Sequence, residues 1–351
     1  MPTVPPTALP IAAPSREPSP PAEPPALPGP RGPLSAAVLD ALRGAPAVPV
    51  DAGSAEPYGE DLQLALYCCY ELHYRGFAGV ADDREWDPEL LGLRRALEQR
   101  FLAALRRDVP GRGIDADVEA AIAGLLVEPA DAWGVSHHLR RDGELWQLRE
   151  YVALRSLYHL KEADPQALVI ARLSGPAKAA LVSVEHDEYG AGDPDRMHAH
   201  LFAAMMQELG LDARYGAYLD HAPAEVLAEV NLMSLCGLHR ALRGALVGQF
   251  ATVELTSSPG SDRLVRAIRR LGGGPAASEF YAEHVEADAV HEQLVRRGVI
   301  APLLAAEPAL AADIVFGIEA SNLLADRLSA LLLDHWARDR SVLRHPLPAR
   351  A

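Results

Sequence analysis

Residues 280–293 read FYAEHVEADAVHEQ and carry His284, Asp288 and His291, three side chains of the kinds that bind first-row metal ions. At about 100° per helical residue, offsets of four and seven return to one face, so the three share a stripe roughly 60° wide. They project together. A helix burying that face would normally carry Leu or Val there, because each inward polar group must find a partner or cost free energy. Glu283, Glu286 and Glu292 lie close by, so an exposed acidic helix is the competing reading.

Three further positions offer the same chemistry. Glu150 sits in WQLREYVALRSLYHLKEADP with Leu154 and Leu157 on its side of a helix, which turns its carboxylate inward. Glu188 ends a helix in VEHDEYGAGDP, and His198 lies in the next one with Phe202 and Met205 along its stripe. Gly190, Gly192 and Pro194 interrupt the helix between them, so periodicity does not decide whether the two converge. Glu185, His186, Asp187 and His200 compete for the same role. Should the six meet, three imidazoles and three carboxylates suit two divalent ions of the iron or manganese kind, and no thiolate favours zinc. Two such ions against three carboxylates leave a formal charge near +1 and open coordination for dioxygen or an anionic substrate.

The elements that must position these groups are helices. Helical patterning is expected at residues 36–43, 61–75, 88–107, 115–127, 132–141, 143–161, 176–189, 194–209 and 223–257, with Asp87 as an N-cap before Pro88. Ser258 reads as the cap of a new helix opened by Pro259. The glycine-rich LGGGP at 271–275 follows no strand and reads as a helix-to-helix turn rather than a phosphate loop. A last helix spans 308–340. Strand alternation is nearly absent, so an all-α bundle is expected, with one domain at 36–345 and its ligand site between facing helices. Residues 1–35 hold a proline-rich, disordered arm, and 346–351 form a tail. Gly237, Gly244 and Gly248 read as sites of close helix packing, His239 as a satisfied core histidine, and His137 and His138 as ordinary surface or hydrogen-bonded histidines. Lys161 lies about three turns, roughly 16 Å, beyond Glu150 and reads as a surface lysine. Arg155 points elsewhere.

The chain of 351 residues is 49% hydrophobic, enough for a sizeable core, and its net charge of −15 argues against nucleic acid or an anionic membrane as the main partner. Three cysteines make neither a disulfide framework nor a thiolate site, which fits a cytoplasmic protein. No uninterrupted apolar run reaches the roughly 18 residues of a membrane span. Apolar helical faces leave room for a homodimer.

The order of Glu188, His198 ten residues on, and then His284, Asp288 and His291, with Glu150 earlier, resembles the haem-oxygenase-like diiron oxidase superfamily. More narrowly, EADP at 162–165, DEYG at 187–190, NLMSLCGLHRALRGALVG at 231–248 and EHVEADAVHE at 283–292 resemble the iron-containing redox enzyme family, over about residues 140–340. The resemblance implies a haem-oxygenase-like seven-helix bundle with extra N-terminal helices and no haem. It implies Glu150, Glu188, His198, His284, Asp288 and His291 as ligands of two Fe, ferrous (Fe2+) at rest and O2-reactive, with Mn as the alternative. It also implies oxidation of a small carboxylate- or amine-containing substrate by decarboxylation, carbon–carbon cleavage or N-oxygenation, within natural-product biosynthesis. Two other functions suit such a bundle. A metal-free cofactor-biosynthesis enzyme of the same architecture would take up no iron, and a non-catalytic metal- or partner-binding protein would accelerate no oxidation.

Overall fold

The computed structural model describes residues 23–46, 50–109 and 117–347, without the side chains of Asp288 and Ala289. Among the described residues there is no strand. In chain order the helices are α1 (Pro33–Leu42), α2 (Glu60–Glu71), α3 (Pro88–Asp108), α4 (Val118–Leu126), α5 (Val135–Arg141), α6 (Leu145–His159), the short α7 (Asp164–Ala167), α8 (Gly175–Glu188), α9 (His198–Glu208), α10 (Ala224–Leu238), α11 (Arg243–Arg270), α12 (Pro275–Gln293), α13 (Ala301–Ala306) and α14 (Ala311–Trp336). A π-helical stretch, Leu294–Ile300, carries α12 into α13.

Local chemistry sets several of these starts. At α3 the Asp87 carboxylate accepts from the backbone N–H groups of Glu89 and Leu90, with Pro88 in the first turn, as the sequence suggests. At α6, Glu144 and Gln147 cap each other's backbone reciprocally. Two expectations fail. The helix expected at 223–257 breaks at His239, which adopts extended backbone and turns its Nε2 to Glu98 on α3 at 3.0 Å instead of settling in the core. Conversely, Pro259 opens no helix. It lies inside α11, where neighbouring packing holds the helix across the missing N–H, and the Ser258 hydroxyl donates to the Val285 carbonyl of α12 at 3.3 Å.

Helices α11 and α14 touch backbone to backbone. A Cβ on Gly248 would stand 2.0 Å from the Ile314 carbonyl oxygen, and one on Gly317 would stand 2.0 Å from that of Ala245. The glycines therefore serve packing. Gly317→Ala must push the two helices apart, and a loss of about 3 kcal/mol or more is expected, the upper end for an overpacked core. Urea unfolding followed by circular dichroism checks this; an unchanged midpoint contradicts it. By length and composition alone the stretch Pro308–Trp336 could cross a membrane. In the fold its Ile314, Leu324, Leu328, Leu332 and Trp336 are buried.

The segments near the ends of the described residues are more tightly held than their composition suggests. Residues 1–22 of the arm expected at 1–35 lie outside the described residues, but its continuation is docked: Pro25 accepts from Ala78 N–H at 2.8 Å, and Gly29 donates to Asp220 at 3.0 Å. Arg31 is clamped by Glu60 and by the carbonyls of Leu219 and Ala222 at 2.6–2.8 Å. Near the other end Arg344 N–H donates to the His221 carbonyl at 3.0 Å. Lys161 is also corrected. It is buried, its Nζ 2.8 Å from Glu71 Oε2 and close to the rings of Tyr67 and Tyr74. Its partner lies 90 residues away in sequence, where periodicity has no reach.

Candidate metal centre

Five segments converge on one buried cluster. The turn after α6 presents Glu162, and Ala163 beside it takes a left-handed φ of 74°, reversing the chain directly after the carboxylate. The last turn of α8 carries Glu185 and Glu188, α9 opens on His198, α11 carries Glu254, and α12 carries His284 and His291. The break between α8 and α9 is what lets two of these meet. Gly190 has φ +71°, and a Cβ there would lie 2.7 Å from the backbone nitrogen of Met197. Only glycine permits that approach, and it returns the chain so that His198 faces Glu188. The Tyr189 hydroxyl then donates to Asp164 at 3.0 Å, tying the end of α8 to the turn that bears Glu162.

Among the described residues the cluster consists of two overlapping ligand groups. Glu162, Glu188, His198 and His284 each offer an atom within 4.8 Å of the others, and so do Glu188, Glu254 and His291. Glu188 belongs to both. Its Oε2 lies 2.7 Å from His198 Nδ1, and its Oε1 lies 3.6 Å from His291 Nδ1. All six side chains are buried. Around them the orienting bonds are in place: His284 Nδ1–H donates to the Phe280 carbonyl at 2.7 Å, which turns Nε2 toward the cluster, 3.8 Å from Glu162 Oε1. His159 Nδ1–H donates to that same Glu162 oxygen at 2.8 Å. His291 Nδ1 lies 3.0 Å from Glu254 Oε2, and its Nε2 lies 3.3 Å from Asp187 Oδ2.

Several features fit a cation. His198 Nδ1 stands close to Glu188 Oε2 but without the alignment of a hydrogen bond, and the buried Nδ1 has no hydrogen-bond partner. Glu162 Oε2 and both oxygens of Glu185 are likewise buried without one. Buried polar atoms are rarely left so. Glu162, Glu188, Glu254 and His284 help to line a space of about 10 Å3, room for about one water-sized species. Burial, with Glu188 and Glu254 adding repulsion, pushes the Glu185 carboxyl up to about 9. Burial also works against charge on Glu162, yet His159 and His284 hold its carboxyl well below the usual range. The donor set of imidazole and carboxylate is that of iron or manganese.

The imidazoles make metal uptake pH-dependent. Burial disfavours a charged His291, but Glu254, Glu188 and Asp187 outweigh it and raise the ring to about 9; His198 is raised in the same way by Glu188. His291 therefore carries a proton in the metal-free protein near neutrality, and a metal ion must expel it. Apparent affinity is expected to climb with pH, about tenfold per unit for each proton displaced, hence about a hundredfold from pH 6 to pH 8 for His291 alone. Mn(II) titrations across that range check it. A flat profile contradicts it.

Beside the cluster lies a cavity of about 510 Å3 whose lining includes Tyr158, His159, Glu162 and His284 at the cluster and Arg155, Glu229 and Tyr281 beyond. Arg155 thus lines the same cavity as Glu162. Its expected orientation away from the site is corrected.

A family model described as iron-containing redox enzyme matches residues 149–326, just over half of the chain. The chain belongs to that family. The matched stretch supplies every residue of both ligand groups, and the all-α architecture is that of the haem-oxygenase-like superfamily. No curated protein matches the chain. For an iron-containing redox enzyme the two buried groups are the natural place for the metal.

Of the six residues singled out in the sequence, Glu188, His198, His284 and His291 come together. Asp288 lies on α12, but its side chain is outside the described residues. Glu150 does not join them. Its carboxylate is buried, as its helix face requires, but Oε1 accepts from Trp336 Nε1–H at 2.9 Å and from Val342 N–H at 3.2 Å, and Oε2 accepts from the Ser341 hydroxyl. Glu162 takes the place expected for it. Among the neighbours, His186 is largely solvent-facing while Asp187 contacts His291. Glu162 and Glu254 are the residues that sequence reasoning missed. Glu162 opens the EADP motif, and Glu254 is an acid set beside the buried Phe250, Ala251 and Leu255 of α11, which is the signal that could have found it.

Proposed function

We propose that this iron-containing redox enzyme is a non-haem diiron oxidase that uses dioxygen to oxidise a small carboxylate- or amine-containing substrate. The observation that carries this reading is the division of the two Glu188 oxygens between two ligand groups, which would let one carboxylate serve two metal ions. Glu162, His198 and His284 would hold one ion and Glu254 and His291 the other, with Glu188 shared by both groups. Two irons so held supply the electrons and open positions that dioxygen activation needs. The protein's part is to orient His284 through the Phe280 carbonyl and His291 through Asp187, and to shield the site with Tyr158, Phe250 and Phe280.

The test is anaerobic Fe(II) loading followed by rapid mixing with O2. A transient long-wavelength absorption and O2 uptake faster than that of free Fe(II) are expected. O2 uptake no faster than free iron would contradict the reading.

A further inference from the structure

Outside the ligand groups, the cavity holds a charged pair that the metal chemistry does not use. Arg155 of α6 donates through one terminal nitrogen to Glu229 of α10 at 2.5 Å, and the side chains are only 20% and 12% exposed. A guanidinium has five N–H donors, and the buried Arg155 Nε has no partner. Nor has the Tyr281 hydroxyl, which is buried and lines the same cavity. Two unpaired donors beside a cation are what a carboxylate would satisfy. The adjoining Glu229 supplies the opposite sign. Burial raises its carboxyl above the ordinary range even with Arg155 alongside, so a second cation there would be favoured.

The placement along the helices sets the orientation of a ligand. Tyr151, Arg155 and His159 follow at intervals of four on one face of α6, and Tyr281 precedes His284 by three on α12. On both helices the head-group residue thus stands about one turn, roughly 5 Å, before the residue that reaches the cluster. Leu232, Met233, Val253, Leu324 and Leu328 supply apolar surface to the remaining walls, interspersed with polar groups such as Gln249, Thr252 and Thr256.

We propose that Arg155, Glu229 and Tyr281 form a head-group site for a free amino acid, with carboxylate on Arg155 and Tyr281, ammonium on Glu229, and an apolar side chain directed to Glu162 and His284. The assignment of the cluster as the oxidising centre is the reading above, on which only the orientation rests. An amino acid held in this way exposes its side chain, not its α-carbon, to the cluster.

Calorimetric titration of the full chain, with and without anaerobic Fe(II), tests this using L-norleucine and L-phenylalanine against their desamino counterparts hexanoate and hydrocinnamate and their decarboxylated counterparts pentylamine and phenethylamine. At least one amino acid is expected to bind about tenfold or more tighter than either of its counterparts, with or without iron. Tyr281→Phe removes only an unpaired hydroxyl and is expected to weaken that binding about tenfold, as for a lost hydrogen bond to a charged group. The paired change Arg155→Gln with Glu229→Gln avoids stranding one buried charge and is expected to abolish the preference for both groups. Equal binding of the counterparts, no binding of either amino acid, or unchanged binding in both variants overturns the proposal. Failure of the chain to take up iron while amino-acid binding persists would instead overturn the diiron reading and leave the head-group site standing.

Discussion

Glu188→Gln is expected to strip both metal ions from the protein, not one. Its two oxygens are divided between the ligand groups, 2.7 Å from His198 and 3.6 Å from His291, so the neutral amide weakens both positions together. Losing even an outer-shell partner of a metal ligand typically costs tenfold to a hundredfold in affinity, and a shared ligand should cost more than about a hundredfold. Replacing a ligand confined to one group, as in Glu254→Gln, should spare the other ion in part. Gln keeps the volume of Glu, so far-UV circular dichroism should not change. The measurement is iron per chain after anaerobic loading and desalting. Retention of one tightly bound iron by the Glu188 variant would mean that the two groups are independent.

The second large effect separates two glutamates twelve residues apart. Glu150→Ala is expected to destabilise the fold by about 3 kcal/mol or more, because it leaves the donors of Trp336, Ser341 and Val342 without their acceptor and opens a cavity. Iron stoichiometry should be unaffected. Glu162→Gln should do the reverse, losing iron while holding its melting temperature within a few degrees, since its Oε2 has no hydrogen-bond partner to abandon. Thermal melts and iron analysis on the same preparations decide the matter. Iron loss in Glu150→Ala, with full loading in Glu162→Gln, would restore the assignment suggested by sequence.

That pair of residues also shows how far a sequence of this kind can be read. Helical periodicity correctly turns Glu150 inward, and burial correctly demands a partner for it. What periodicity lacks is the identity of the opposite wall, here Trp336, 186 residues further on. Lys161 and Arg155 are misread for the same reason, since Glu71 and Glu229 lie on other helices. His284 and His291 on α12 are legible because the face they share is internal to one helix. His198 and Glu188 sit between these cases. Their residue types stand out, but only the left-handed Gly190 and the approach of Met197 bring them together. The fold class was readable throughout, because nearly every segment carries a helical stripe, whereas Pro259 inside α11 and the break at His239 depend on neighbouring helices.

Electron paramagnetic resonance of the Mn(II)-loaded chain asks most directly whether one carboxylate joins two metal ions here. On the proposed reading two Mn(II) per chain with a spin-coupled spectrum are expected, because a Glu188 shared by both ions would hold them close enough to interact. A single Mn(II) per chain, or two showing only the hyperfine pattern of isolated ions, would contradict the shared-ligand centre.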